Sequence, residues 1–290
     1  MPAYKSGGFT ATAELLSGYV FEEPIDIVGI DLSWITIAST NDEVVSMDAT
    51  LVGVDSVPFF KVSQGGSSPL INIRIDTIND PGGTLEPMFS AQTGGKINFE
   101  YRPAGTLSLD YVSEGDALSA IDSADISLRN GEITTCRSAF VAANNSRIYA
   151  SSTDVTDCEI VAKCFDNAAI TCLSSTFTNV SDRALTTFGN SSISAEGTAL
   201  AGSKPSTGIF AAQCSVISVA FSNYSGCSSS GINCRTGATI NALNTNARKG
   251  SSNSSNDIKV SLGGIISAHS AIGGTNVTVN TVSADGIIFR

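Results

Sequence analysis

The chain is poor in charge. Of its 290 residues 15% are Asp, Glu, Lys or Arg, and 27 acids against 16 Lys and Arg leave a net charge of −11. An acidic chain repels phosphate backbones and anionic headgroups, which argues against nucleic acid or an anionic membrane surface as partner. No window resembles a transmembrane span or a secretory leader, so membrane insertion is not expected. The single histidine, His269, lies in a Gly-rich stretch with no nucleophile elbow, so a Ser/His/Asp triad finds no support. GxGxxG, P-loop and HExxH patterns are missing, which removes nucleotide and zinc-protease readings. The seven cysteines are an odd number with no zinc spacing. They read as buried free thiols of a protein made in a reducing cytoplasm, and no metal or cofactor is expected. A bridge between Cys136 and Cys158 on neighbouring coils is the alternative.

What is present is a repeat. Residues 139–148 (AFVAANNSRI) return as 161–170 (VAKCFDNAAI), 184–193 (ALTTFGNSSI), 208–217 (GIFAAQCSVI) and 231–240 (GINCRTGATI). Upstream copies lie at 88–97 and 117–126, and a downstream copy at 257–266. From Ile126 to Ile240 the closing isoleucines are 22, 22, 23, 24 and 23 residues apart, a period typical of solenoids. The second, fourth and tenth positions are small or apolar, so alternation places them on one face of a strand. The seventh position is Asn145, Asn167, Asn190, Gly237 or a similar residue, the types that enter left-handed backbone at least cost. Each block therefore reads as strand, tight turn, strand. Equivalent strands pair one coil on, about 4.8 Å away, and Asn145, Asn167 and Asn190 stack as an amide ladder.

A third strand follows each block. Ile133, Val155 and Phe177 point inward, Thr134, Thr156 and Thr178 outward, and Cys136, Cys158 and Val180 inward again. The expected fold is all-β: a single-stranded parallel β-helix of triangular section with coils of about 22–24 residues. Residues 1–20 read as a cap segment, 21–245 as the β-helix and 246–290 as a C-terminal β segment that docks on the last coil or on a neighbouring subunit. The early coils are longer, with loops at 79–86 (NDPGGTLE) and 100–105 (EYRPAG).

Three features together, residues 29–37 (GIDLSWITI), the small-residue coils, and the ending formed by 264–268 (GIISA) and 282–288 (VSADGII), make the chain resemble bacteriophage tailspike proteins. The resemblance covers most of the chain through loose motifs. It implies a right-handed parallel β-helix, assembled as a homotrimer in the virion tail with other phage tail proteins. It also implies binding of a bacterial surface polysaccharide, often with endoglycosidic cleavage and sometimes as a lyase. The virion-attachment domain usual in that family has no counterpart here, so a shortened spike or attachment through another protein is expected.

Glycoside hydrolysis needs two carboxyl groups, about 5 Å apart for retention or about 6.5–9.5 Å for inversion. Coil stacking supplies such distances. In register Glu132 lies beneath Asp154, with Asp157 and Glu159 on the next strand and Asp182 one coil further. Glu132, Asp154, Asp157 and Glu159 are the candidate catalytic acids. Tyr149, Arg129 and Asp182 are candidates for sugar contact, as is Tyr111 within the acidic stretch 110–116 (DYVSEGD). The competing reading has these acids capping turns and pairing with Arg137, Arg147 and Lys163. A lyase would instead lean on Lys163 beside Asp157, and a non-catalytic fibre shaft would need none of them.

Overall fold

A computed structural model describes residues 10–40, 43–48, 50, 58–78, 87–99, 107–110, 115–128, 130–248, 257–275 and 279–290. They form a parallel β-solenoid of about ten turns with coils of about 24 residues. Most coils contribute a strand to each of three faces; beyond Ala199–Ala201 the second face continues as isolated bridges through Asn223, Asn246 and Ile272. The first face is a twelve-stranded sheet running from Ala11–Leu15 to Gly286–Phe289. The second includes Val20–Phe21, Val44–Asp48, Thr176–Thr178 and Ala199–Ala201; the third includes Phe60–Ser63, Phe89–Gln92, Arg183–Thr187, Thr207–Ala211 and Ile258–Ser261. In Gly131–Ala143 and Asp154–Cys164 one strand runs through the corner and serves both of these faces.

The register follows the repeat. Ile97, Ile126, Ile148, Ile170, Ile193, Ile217, Ile240, Ile266 and Ile288 form one inward column on the first face. Each is 0 or 1% exposed, worth about 1.5–3 kcal/mol per side chain removed from water. On the third face Phe89, Leu118, Phe140, Ala162, Leu185, Ile209, Ile232 and Ile258 form the second column. Ile133, Val155 and Phe177 supply the inward column of the second face and are fully buried. In the longer N-terminal coils the wider interior is filled by rings, with Phe59, Phe60, Phe89 and Phe99 in edge or tilted contact.

Three kinds of corner close each coil. Between the third and first faces two consecutive residues have positive φ, as in Asn144 (54°) and Asn145 (63°), Asp166 (52°) and Asn167 (63°), or Gly189 (63°) and Asn190 (58°). The paired left-handed residues reverse the chain in the space of one side chain. The hydrogen bond across this corner lies one column before the expected ladder, because Asn144 Nδ2 donates to Asp122 Oδ1 at 2.8 Å. Asn145, Asn167 and Asn190 stand exposed beside it.

Buried hydroxyls bond several of the backbone groups at the corners. Ser175 Oγ accepts from Thr153 N at 3.1 Å, Ser222 Oγ accepts from Thr198 N at 3.1 Å, and Thr245 Oγ1 donates to Val219 O at 2.6 Å. Tyr224, fully buried, bonds Thr198 Oγ1 through its hydroxyl at 2.6 Å, and burial raises its pKa well above the usual value. All seven cysteines are free, six of them buried and Cys214 exposed. Burial pushes Cys164 up to about 12 and Cys227 and Cys234 up to about 11. Cys136 rises for the same reason, reinforced by its hydrogen bond with Cys158.

Candidate functional site

The second face presents the acids. Alternation buries Ile133 and Val155 and turns Glu132, half-buried, and Asp154, exposed, outward. The two are register partners on adjacent coils, so their backbones stand about 4.8 Å apart. A backbone step of this size allows the two carboxyl groups to approach the roughly 5 Å of a retaining pair. Among the described residues neither forms an ion pair; the described pairs are Lys61–Asp26, Arg137–Asp116 and Arg183–Asp182. Arg137 is engaged by Asp116, with Nη2 at 3.1 Å from Oδ2 and Nε donating to Oδ1 at 3.2 Å.

The other candidates are divided among the faces. Asp157 occupies the corner between the second and third faces with φ 56°, and its Oδ1 accepts from Asn179 Nδ2 at 2.9 Å. Asn179 Oδ1 in turn accepts from Ser203 N at 2.9 Å. Glu159 is exposed on the third face, and its carbonyl accepts from Asp182 N at 2.9 Å. The Asp182 carboxylate accepts from Ser206 Oγ at 3.4 Å and lies 3.8 Å from Arg183 Nε. Tyr149, 39% exposed, belongs to the first face, between Ser127 and Thr171. Arg129 and Tyr111 lie outside the described residues. Of the four candidate catalytic acids, only Glu132 and Asp154 share one outward column.

The third face carries a cluster that sequence reasoning did not single out. Phe165 and Phe188 stack with ring centres 5.6 Å apart and planes 2° from parallel, and Phe188 meets Phe210 at 5.4 Å. The Arg183 and Arg235 guanidiniums each lie 5.0 Å from the centre of the Phe210 ring. Thr186 lies in register between Lys163 and Phe210, 3% exposed, and its Oγ1 has no hydrogen-bond partner among the described residues. The signal was available: Phe165 and Phe188 both hold the fifth, outward position of the block.

A cavity of about 360 Å³ lies at the N-terminal coil, lined by residues 19–25, away from every candidate acid. Among the described residues no group of three His, Cys, Asp or Glu side chains is placed to hold a metal ion. No protein-family model matches the chain, and comparison with curated proteins and with solved structures gives no match.

Proposed function

We propose that the protein is a phage tailspike subunit that binds a bacterial surface polysaccharide, capsule or O-antigen, and cleaves it as an endoglycosidase. The observation that carries this reading is the pairing of Glu132 with Asp154 on adjacent coils, outward and without an ion-pair partner among the described residues. One carboxyl protonates the leaving glycosidic oxygen while the other attacks the anomeric carbon; water then releases the glycosyl ester. An open face, unlike a closed pocket, admits the middle of a polymer. The first face favours assembly as a homotrimer, because Val216 (47% exposed), Ile265 (38%) and Phe289 (47%) leave apolar surface at its C-terminal end. In this reading the protein is made in the host cytoplasm and acts from the virion at the cell surface.

A non-catalytic receptor-binding or shaft segment is the second reading. It draws on the outward bonds Asp122–Asn144 and Asp157–Asn179, which brace successive coils without any chemistry. Incubation with capsules and O-antigens of a bacterial panel, followed by assay of reducing ends and chain length, separates the two. New reducing ends support hydrolysis. Binding with unchanged chain length on every polymer supports the shaft.

A further inference from the structure

We infer that the third face carries a second saccharide site, a basic stripe that holds an acidic glycan along the solenoid axis. This rests on the polysaccharide-binding reading and adds the class of glycan. Lys163, Thr186, Phe210, Asn233 and Lys259 form one outward register column over five coils. Four coil steps separate the two lysines, about 19 Å. Arg183 and Arg235 enter the column from either side at Phe210. In a chain of net charge −11, two lysines in one column and two arginines beside it depart from the general balance.

The geometry suits carboxylates. A guanidinium resting on a ring has its plane fixed while its N–H edge stays open, a pre-organised fork for a bidentate carboxylate. Arg235 is exposed and, among the described residues, has no acid partner; the same holds for the half-buried Lys163 and Lys259. The Thr186 hydroxyl, without a hydrogen-bond partner among the described residues, is an additional polar group in the same column. The Phe165–Phe188 stack borders the stripe and offers apolar contact to sugar C–H groups. Along the other border stand Glu159 and Asp182, which limit the stripe's attraction for polyanions in general, so the single-stranded DNA arm of the test asks whether charge alone suffices.

The test is titration of the full-length protein with oligogalacturonate, hyaluronan oligosaccharide and oligosialate, alongside methyl-esterified oligogalacturonate and single-stranded DNA. Lys163→Gln, Arg235→Gln and Lys259→Gln replace exposed or half-buried side chains, and their melting temperatures monitor folding. At least one acidic glycan is expected to bind, more weakly as salt is added, with each substitution weakening it about three- to tenfold. The methyl ester should bind more weakly than its acid. Failure of all three acidic glycans, equal binding of ester and acid, unchanged affinity in the triple variant, or preference for DNA overturns the inference. Loss of depolymerisation with stripe binding intact counts only against the hydrolytic reading. Unchanged glycan affinity in the triple variant, with depolymerisation intact, counts only against the stripe.

Discussion

Asn179 sits one coil beyond Asp157 and donates its side-chain amide to the Asp157 carboxylate at 2.9 Å. Both residues have left-handed backbone, φ 55° and 56°, in a column that begins at Thr135 (51°) and continues to Gly202 (60°). An acid that looks catalytic by composition is here part of a corner. Its short polar side chain tolerates the left-handed region and returns a hydrogen bond to the next coil.

Asp157→Asn therefore keeps both features and should leave the melting temperature nearly unchanged. Asp157→Ala loses the acceptor and strains the backbone, a cost of about 2 kcal/mol. Gly202→Ala should also destabilise, since a Cβ there collides with Asn179 Oδ1 while φ is positive. Denaturant unfolding of the three variants provides the check; equal stability of Asp157→Ala and Asp157→Asn would remove the corner role.

Ile170→Ala empties one site of the isoleucine column, where Ile170 is 1% exposed between Ile148 and Ile193. The expected loss is about 2–5 kcal/mol, larger than for the corner substitutions. The same unfolding experiment reads it.

Folded thiols that remain protonated above their ordinary pKa of 9 make stability fall in alkali. Unfolded Cys164, Cys227 and Cys234 ionise near pH 9, whereas burial delays ionisation in the fold to about 12, 11 and 11. Their contribution is complete below pH 9 and is lost as pH rises from 9 towards 11 and 12, at about 1.4 kcal/mol per pH unit and thiol. Unfolding midpoints measured at neutral pH, pH 9 and pH 10.5 should fall slightly to pH 9 and steeply over the last interval. At neutral pH a thiol reagent should modify Cys214 alone until the chain unfolds, because the other six are buried.

If the first face joins three chains, light scattering gives three times 29.8 kDa for the wild type. A charge at the centre of the apolar stripe, as in Ile265→Lys with Val216→Lys, should return the single-chain mass without loss of β structure. A wild type that is monomeric at all concentrations would contradict the trimer.

Much of the fold was legible because its determinants are local and repeat. Inward columns show as apolar residues at fixed spacing, and corners show as Asn, Asp and Gly, so register follows by counting from Ile126 to Ile240. The position of the amide bond was missed because residues six and seven are both left-handed, and only the distance to the next coil decides which side chain reaches across. The site was less legible. Counting placed Glu132 next to Asp154 but gave no sign that Asp157 turns into the corner. Nor did it show that the outward Phe210 draws Arg183 and Arg235 together, since those residues hold different positions in their blocks.

Hydrolysis by the Glu132–Asp154 pair is tested most directly by depolymerase assay of Glu132→Gln, Asp154→Asn and Asp157→Asn on a polysaccharide that the wild type shortens. Loss of about a hundredfold or more in rate is expected for the first two, with binding and melting temperature retained. Asp157→Asn should keep most of the activity. Wild-type rates in both Glu132→Gln and Asp154→Asn would contradict the assignment.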